Sequence, residues 1–321
     1  MPQQKPTLLQ LRPLTVLDDG QARLNRVFNV IELWKEANPD ETILAHKNDA
    51  VVLMTSGIAG ANAELIDKLP KLQAICHWGV GYDSIDVKHA QQKNIQISNT
   101  PGVLNDCVAD LTWGLILATA RRMGQNERYA RASLWGKEPA RPLGTRVSGK
   151  NLGIVGMGRV GLAIADRSVG FDMKVRYHNR HARPDTHWAY ESSLIEIAKW
   201  ADFLVVVTVG GPSTYHLIDK SVINALGPDG MLINVARGSV VDQDALIKAL
   251  ANGELGAAGL DVYEDEPSIP DELKSMDNVV LLPHIGSATT ETRRAMSNLA
   301  VENVEAFAAT GKVITPIDKA A

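Results

Sequence analysis

Short apolar runs alternate with helix-like segments over the first third of the chain. The apolar runs lie at residues 51–54, 72–76 and 95–97, and helical spacing of apolar residues covers residues 61–69 and 86–92. Runs of this length predict buried strands, and the alternation of strand and helix is typical of an open parallel sheet. The pattern therefore predicts a β-α-β-α-β unit between about residue 7 and residue 99.

Thr100, Pro101 and Gly102 interrupt the pattern after this unit. Because Pro and Gly break regular structure, we expect a hinge or crossover between two domains here. A long helical stretch follows over residues 106–122, and residues 129–149 show no periodicity. A loop of that length in a compact protein often has a packing or partner role.

A second and more regular α/β series begins near Asn151. It contains six predicted strands, at residues 152–155, 173–178, 203–207, 231–235, 257–262 and 279–282. Helices are predicted from a glycine-rich turn to about residue 170, over residues 191–200, and as an amphipathic run over residues 291–310. This order is consistent with a doubly wound sheet. The predicted fold class is α/β, with two Rossmann-like doubly wound parallel-sheet domains.

The glycine-rich turn has the sequence Gly156-Met157-Gly158-Arg159-Val160-Gly161. In a strand-turn-helix unit that binds a dinucleotide, the first glycine allows the tight turn, the second lets backbone approach the pyrophosphate, and the third lets the helix pack on the strand. A helix beginning near Val160 would offer its first N–H groups to the phosphates. The predicted cofactor contacts are Gly156, Gly158, Arg159, Val160 and Gly161.

The segment that follows the second strand of this series bears on the choice of cofactor. An acid about twenty residues after such a turn would bind the ribose hydroxyls of NAD, but this segment contains Asn179, Arg180 and Arg183, with no acid before Asp185. Arginines pair with a 2′-phosphate, whereas a carboxylate repels it. We predict that NADP(H) is preferred, that NAD(H) is possible, and that Asn179, Arg180 and Arg183 contact it. The alternative is that these arginines are solvated surface residues.

Composition and charge narrow the class of protein. The 321 residues are 45% hydrophobic and 22% charged, which is typical of a globular protein, and the length allows two domains. The net charge of -4 gives no reason to expect nucleic-acid binding. The apolar run at residues 111–120 is too short to cross a bilayer and adjoins Asp110, so it indicates a buried core helix.

The cysteines and the N-terminus bear on the compartment. Cys76 and Cys107 lie in apolar or helix-like stretches without a metal-binding spacing, so we expect two buried thiols, no disulfide and no metal site. Residues 1–11 contain neither the apolar segment nor the cleavage site of a secretory signal. We expect a cytoplasmic protein that contacts no membrane.

Candidate chemistry lies at the ends of the later strands, where open α/β sheets bind their ligands. Arg237, Glu266 and His284 each follow one of these strands. Each alone has an ordinary structural explanation, but a cation, a carboxylate and an imidazole beside a nicotinamide site supply what reduction of a 2-oxo acid needs. The turn at residues 79–83 is equally consistent with a tight strand-to-helix turn and with a backbone cradle for a small anion.

Six motifs are distributed over nearly the whole chain. They are GVGYDSID at residues 79–86, NTPGVL at 99–104, GIVGMGRVG at 153–161, NVARG at 234–238, GLDV at 259–262 and PHIGS at 283–287. In this combination the sequence resembles the D-isomer-specific 2-hydroxyacid dehydrogenases, and within them the glyoxylate/hydroxypyruvate reductase branch.

The resemblance implies three catalytic roles. Arg237 would hold the substrate carboxylate and polarise the 2-oxo group, with the backbone of Val80 and Gly81 binding the other carboxylate oxygen. His284 would protonate the carbonyl oxygen as hydride arrives from the nicotinamide. Glu266 would pair with the imidazole and keep it protonated.

The resemblance also implies a domain layout and further cofactor contacts, at Thr208, Asp261 and Gly286. The substrate-binding domain would comprise residues 1–100 and 289–321, and the dinucleotide-binding domain residues 101–288, with the catalytic cleft between them. The helix and loop at residues 104–149 would be the dimerisation region, so we expect a homodimer.

The implied activity is NADPH-preferring reduction of small 2-oxo acids such as glyoxylate and hydroxypyruvate to D-2-hydroxy acids. The alternatives within the family are 2-ketogluconate and aryl pyruvates, with residues 53–57 and the loop of Trp135 as candidates for the side-chain pocket. A dinucleotide-sensing corepressor with the same fold is the alternative from another class. The absence of residues beyond Ala321 argues against a phosphoglycerate dehydrogenase with a regulatory domain, and Glu266 argues against a formate dehydrogenase, which carries glutamine there.

Overall fold

The computed structural model describes residues 5–137, 139 and 141–317. The chain divides into two compact units, one of Met1–Leu104 with Ser287–Ala321 and the other of Asn105–Gly286. The sequence predicts boundaries after residues 100 and 288, whereas the observed ones follow Leu104 and Gly286. Each unit is built on a parallel sheet with helices, which confirms the predicted α/β class.

The first unit has a five-stranded parallel sheet in the order β2-β1-β3-β4-β5. Its strands are β1 (Thr7–Gln10), β2 (Asn29–Glu32), β3 (Ala50–Ser56), β4 (Ala74–Trp78) and β5 (Gln96–Ser98). The apolar pattern predicts β3, β4 and β5 but not the first two strands. Strand β1 has only four residues, and β2 is an edge strand with no fully buried residue, so neither produces a long apolar run.

Four short helices belong to the same unit: α1 (Gly20–Val27), α2 (Pro39–Ala45), α3 (Ala63–Asp67) and α4 (Val87–Gln92). Three of them begin after a polar residue whose side chain accepts a hydrogen bond from the first helical turn, namely Asn38, Asn62 and Asp86. Such a cap satisfies an N–H group that the helix itself leaves unbonded.

Both faces of this sheet are covered. The neighbouring residues Leu8 and Leu9 of β1 pack into different apolar clusters, Leu8 with Val52 and Leu9 with Leu53. Successive side chains of a strand point to opposite faces, so a sheet buried on both sides produces continuous apolar runs rather than an alternating pattern.

The second unit has a seven-stranded parallel sheet in the order β12-β11-β10-β9-β6-β7-β8. Its strands are β6 (Asn151–Val155), β7 (Lys174–His178), β8 (Ala189–Tyr190), β9 (Phe203–Val206), β10 (Met231–Asn234), β11 (Ala257–Leu260) and β12 (Val279–Leu281). The predicted count of six is therefore wrong by one strand. Strand β8 is an exposed two-residue edge strand beside β7, too short for its pattern to predict it.

The helices of the second unit are α5 (Asn105–Ala120), α6 (Met123–Arg131), α7 (Arg159–Arg167), α8 (Leu194–Trp200), α9 (Lys220–Leu226), α10 (Gln243–Asn252) and α11 (Asp271–Ser275). The predicted helix over residues 106–122 ends early because Arg122 adopts a left-handed backbone with φ of 52°. Helix α6 follows and includes Tyr129–Arg131, which the sequence pattern assigns to an irregular stretch. As expected, α5 is a core helix, with Trp113, Leu115 and Ile116 buried.

The last helix, α12 (Thr290–Thr310), belongs to the first unit. Its residues Ala300, Val301 and Val304 are buried in the same cluster as Leu8, and Glu305 forms an ion pair of 2.5 Å with Arg23 of α1. Within the described part of the chain, none of the helices combines the length and the apolar character that crossing a bilayer requires.

The two cysteines differ in environment. Cys76 is fully buried, and this burial raises the pKa of its thiol to about 12. Cys107 is only half-buried near the start of α5, so the expectation that both thiols are buried is wrong for Cys107. The two residues form no disulfide with each other.

Candidate active site

The glycine-rich turn connects β6 to α7, and its three glycines meet three different surroundings. Gly156 has φ of 109°, and a Cβ there would lie 2.7 Å from the backbone nitrogen of Thr208. A Cβ on Gly161 would lie 2.2 Å from the carbonyl oxygen of Gly156. Around Gly158, none of the described residues other than its two chain neighbours places a heavy atom within 4 Å of the Cβ position. The turn is therefore closed at its two ends and open at Gly158, as a backbone cradle for a pyrophosphate requires.

Helix α7 begins at Arg159, one residue before the predicted start, with Gly158 as its N-cap. Because glycine has no side chain, this N-cap makes no side-chain hydrogen bond to the first turn, and the positive end of the helix dipole lies at the exposed Gly158. Val160 is half-buried in this turn and packs against the core, whereas the side chain of Arg159 is exposed.

Two residues of the loop after β7 support the glycine-rich turn. Asn179 Oδ1 accepts a hydrogen bond of 2.7 Å from Met157 N, and Arg183 Nη1 donates to the carbonyl oxygens of Met157 at 2.8 Å and Gly158 at 3.3 Å. Arg183 also forms a hydrogen-bonded ion pair with Asp185. The hydrogen bond to Asp185 raises the pKa of the Arg183 guanidinium. Most N–H donors of Arg183 are thus already used within the protein.

Arg180 differs from Arg183. Its side chain is exposed and, like that of Arg159, makes no hydrogen bond or ion pair with any of residues 5–137, 139 and 141–317. Of the two arginines expected at a 2′-phosphate, Arg180 is the one with its donors available.

The structure brings together Arg237, Glu266 and His284. They follow β10, β11 and β12, which are neighbours in the sheet, so all three lie at its carboxyl edge. Nδ1 of His284 lies 2.6 Å from Oε2 of Glu266, while Oε1 of Glu266 accepts a hydrogen bond from Tyr263 N at 3.1 Å. Both carboxylate oxygens of Glu266 are therefore held.

Opposing effects act on the Glu266 carboxyl. Burial acts to raise its pKa, but the hydrogen bond and charge of His284, the N–H of Tyr263 and the positive charge of Arg237 together outweigh burial. The pKa of Glu266 consequently lies below its ordinary value, and the side chain is a carboxylate facing an imidazole at neutral pH.

Asp261 holds the turn that carries His284. Its carboxylate, in a residue only 2% exposed, accepts hydrogen bonds of 2.8 Å from the N–H groups of Ile285 and Gly286, and its carbonyl oxygen accepts one of 2.9 Å from His284 N. Burial is the largest influence on this carboxyl and raises its pKa, partly offset by those two N–H groups. His284 itself has φ of 52°, a conformation that non-glycine residues seldom adopt and that this turn maintains.

The loop of Arg237 is fixed by Asn234 and by close backbone packing. Asn234 Oδ1 accepts a hydrogen bond from Ala236 N at 3.1 Å, and its Nδ2 donates to the Arg237 carbonyl oxygen at 3.0 Å. A Cβ on Gly238 would lie 1.8 Å from the carbonyl carbon of Tyr263. The loops that carry Arg237 and Glu266 therefore lie backbone against backbone.

Val80 and Gly81 follow β4 in the first unit. The Val80 carbonyl oxygen accepts a hydrogen bond from Asn99 Nδ2 at 2.8 Å, and the Gly81 carbonyl oxygen lies 2.9 Å from Nε2 of His77. The N–H groups of Val80 and Gly81 have no hydrogen-bond acceptor among the residues that the structure covers. Two adjacent open N–H groups are what an anion cradle needs, and a tight turn alone does not require them.

Sequence reasoning missed two contributors to this region. The hydroxyl of Tyr263 donates to the carbonyl oxygen of Leu282 at 2.9 Å and so ties β12 to the loop after β11. His216, in the loop after β9, pairs with Glu264. No spacing in the sequence connects these partners, which are separated by 19 and 48 residues.

With this geometry established, comparison with known proteins identifies the family. Residues 113–286 match the family profile described as D-isomer specific 2-hydroxyacid dehydrogenase, NAD binding domain. The chain belongs to this family. It is accordingly an NAD(P)-dependent D-2-hydroxyacid dehydrogenase, as its resemblance implies.

Relatives that match over more than nine-tenths of their length have names consistent with this family. The chain is 43% identical over 296 residues to a glyoxylate/hydroxypyruvate reductase of Arabidopsis thaliana, covering 92% of this chain and 94% of that protein. It is 42% identical over 297 residues to a hydroxyphenylpyruvate reductase of Plectranthus scutellarioides, with 92% and 95% covered. It is 38% identical over 316 residues to a 2-ketogluconate reductase of Gluconobacter oxydans, with 98% and 99% covered.

A solved structure matches over nearly the whole length. The NADPH-dependent glyoxylate/hydroxypyruvate reductase of Sinorhizobium meliloti, in complex with NADP and malonate, superposes with a TM-score of 0.89 at 38% identity, covering 98% of this chain and 97% of that one. Together with the relatives, this match places the chain in the glyoxylate/hydroxypyruvate reductase branch of the family.

Proposed function

We propose that this protein reduces small 2-oxo acids, glyoxylate and hydroxypyruvate among them, to D-2-hydroxy acids, with NADPH as the preferred reductant. The observation that carries the proposal is the placement of Arg237, Glu266 and His284 at the ends of three neighbouring strands, with Nδ1 of His284 2.6 Å from Glu266. The relatives named as glyoxylate/hydroxypyruvate reductases support the substrate class.

The residues of the chain would share the reaction as follows. Because Nδ1 of His284 faces Glu266, Nε2 is the ring nitrogen that would give its proton to the carbonyl oxygen of the substrate. Arg237 would bind the substrate carboxylate through its planar pair of donors and polarise the carbonyl group. The N–H groups of Val80 and Gly81 would bind a carboxylate oxygen. The bound dinucleotide would supply the hydride that reduces the carbonyl carbon.

The preference for NADPH rests on Arg180. Its guanidinium is exposed and makes no hydrogen bond with the described residues, and no acid stands between Arg180 and Arg183 to repel a 2′-phosphate. Asp185 is the nearest acid along the chain, and Arg183 neutralises it. We propose that Arg180 binds the 2′-phosphate while Asn179 and Arg183 hold the glycine-rich turn in shape. Thr208, Asp261 and Gly286 stay predicted cofactor contacts.

The deciding experiment measures NADPH oxidation by the purified protein with glyoxylate, beside His284→Ala. The wild-type protein should turn over and His284→Ala should lose about 100-fold or more in kcat. His89→Ala is the matched control, because His89 pairs with Asp67 on the surface of the first unit. A wild-type protein that binds NADPH but reduces no 2-oxo acid would favour the corepressor alternative.

The names of two relatives support two further candidate substrates, which differ from glyoxylate and hydroxypyruvate in their side chains. One relative is named a 2-ketogluconate reductase and another a hydroxyphenylpyruvate reductase, both over more than nine-tenths of this chain. Comparing kcat/KM for glyoxylate, hydroxypyruvate, 2-ketogluconate and hydroxyphenylpyruvate separates these candidates, and we expect the two smallest substrates to give the highest values.

We also propose that the protein is a homodimer that associates through the second unit. Trp135 is 86% exposed and Leu143 is 93% exposed, which is unusual for large apolar side chains. Leu143 borders a groove of about 800 Å³ whose lining includes Met231, Met276 and Val280. Two large apolar side chains this exposed on one unit suit a two-fold contact in which each copy covers those of the other.

A further inference from the structure

The loop after β11 carries a second glutamate, and this one faces a different histidine. Oε1 of Glu264 lies 2.5 Å from Nε2 of His216, and the two side chains are 28% and 29% exposed. Two residues further on, Glu266 faces His284. One short loop therefore supplies two carboxylates, each paired with a different imidazole. The proposed reaction uses only the pair of Glu266 and His284.

His216 is held in place by the loop that carries Arg237. Its backbone has φ of 48°, and its N–H donates to the carbonyl oxygen of Ser239 at 2.8 Å. Two residues later Ile218 pairs with Val241 in a parallel bridge. The ring of Tyr215 stacks on the His216 imidazole at 3.9 Å between centroids. The imidazole therefore sits at a defined position relative to the turn that follows Arg237.

The other partner, Glu264, is linked to the catalytic carboxylate through one residue. Its neighbour Tyr263 donates the N–H that holds Oε1 of Glu266, and the Tyr263 carbonyl group packs against Gly238. A shift of Glu264 would therefore move the N–H that holds Glu266 and the backbone against which the Arg237 loop rests.

We infer that His216 and Glu264 are a positioning pair that fastens the loop after β9 to the loop after β11 and so keeps Glu266 aligned with His284. The pair also sets Glu266 relative to Arg237, because the Arg237 loop is attached to His216 through Ser239. Neither residue of the pair touches the reacting atoms in this scheme. The inference rests on the proposed reductase activity, because that activity is what the alignment serves.

The test compares His216→Leu with His216→Gln in NADPH-dependent reduction of glyoxylate. Leucine cannot bond to Glu264, whereas the amide of glutamine can donate a hydrogen bond to it. Because the misplaced groups act in the transition state, we expect His216→Leu to lower kcat about tenfold or more with little change in the KM for glyoxylate. His216→Gln should keep kcat within about threefold of the wild type, because its amide can still donate a hydrogen bond to Glu264.

The pH profile separates positioning from a purely structural role. The alkaline limb of kcat/KM for reduction reports proton loss from the coupled Glu266–His284 pair, beside which Arg237 and Asp261 are the other charged groups. If Glu266 is less well aligned, this limb moves to lower pH in His216→Leu and stays in place in His216→Gln. In a Glu266→Gln background, His216→Leu should no longer move the limb, because the carboxylate it would misalign is gone.

A matched control and the thermal midpoint keep the inference falsifiable. His46 forms an imidazole–carboxylate pair with Asp49 and has 27% exposure, close to that of His216, so His46→Leu should leave kcat and the limb unchanged. The inference is overturned if the wild type turns over and folded His216→Leu has the same kcat and limb, whatever its thermal midpoint. A wild type without reductase activity contradicts instead the proposed function.

Discussion

Nδ1 of His284 lies 2.6 Å from Oε2 of Glu266, although the two residues follow different strands. The other Glu266 oxygen is held by Tyr263 N, and the His284 backbone by Asp261. The carboxylate is thus fixed beside Nδ1, and Nε2 is the ring nitrogen that the proposed proton transfer would use.

Glu266→Gln keeps an oxygen that can accept the imidazole N–H but removes the negative charge that favours the protonated ring. We expect the alkaline limb of kcat/KM for glyoxylate reduction to move to lower pH by about 1–3 units. Activity should fall more at pH 8 than at pH 6. Glu272→Gln, at an exposed position of α11, is the control, and an unmoved limb would rule out this role for Glu266.

Arg180→Ala should raise the KM for NADPH about 10- to 100-fold, because a charge-assisted hydrogen bond to the 2′-phosphate is lost, and should leave the KM for NADH nearly unchanged. Arg183→Ala should behave differently. It removes the donor that holds the carbonyl groups of Met157 and Gly158, so both cofactors should bind less well and the thermal midpoint should fall. Steady-state kinetics with both cofactors distinguishes the two arginines, and an unchanged NADPH/NADH ratio in Arg180→Ala contradicts the assignment.

The open and closed glycines of the turn predict opposite outcomes for alanine. At Gly158 the added methyl group would meet no described residue other than its two chain neighbours within 4 Å. The free energy of unfolding of Gly158→Ala should therefore stay within about 1 kcal/mol of the wild-type value, while the KM for NADPH rises. At Gly161 the methyl group would lie 2.2 Å from a carbonyl oxygen. The free energy of unfolding of Gly161→Ala, measured in urea, should therefore be about 1–3 kcal/mol lower than that of the wild type. Unimpaired NADPH binding by Gly158→Ala would mean that the pyrophosphate does not approach there.

Replacing Trp135 and Leu143 together with alanine should convert the proposed homodimer to a monomer. The reason is that burial of apolar surface drives such contacts and these two side chains are the most exposed large apolar groups of the second unit. Light scattering after size-exclusion chromatography gives the mass directly. Ile58→Ala, which removes an 84% exposed apolar side chain of the first unit, should stay dimeric. A monomeric wild type would end the dimer proposal.

Local patterns predict those parts of the fold in which a few consecutive residues decide the outcome. The apolar runs of β6, β9 and β10 predict buried strands because both faces of each are covered. The apolar pattern does not predict elements that depend on other parts of the structure. Strand β8 is a two-residue strand that pairs with β7 at the edge of the sheet, and α5 ends at Ala120 because the backbone turns at Arg122.

For the candidate site, the sequence by itself determines the chemistry available: the glycine-rich turn before a helix, the arginines where NAD-binding proteins carry an acid, and a cation, a carboxylate and an imidazole at strand ends. Only the tertiary structure decides which carboxylate meets which imidazole. Glu264 and Glu266 stand two residues apart in one loop, yet the first pairs with His216 and the second with His284. The physical reason is that strand order in the sheet brings residues distant in the chain to one edge, and no spacing along the chain records that order.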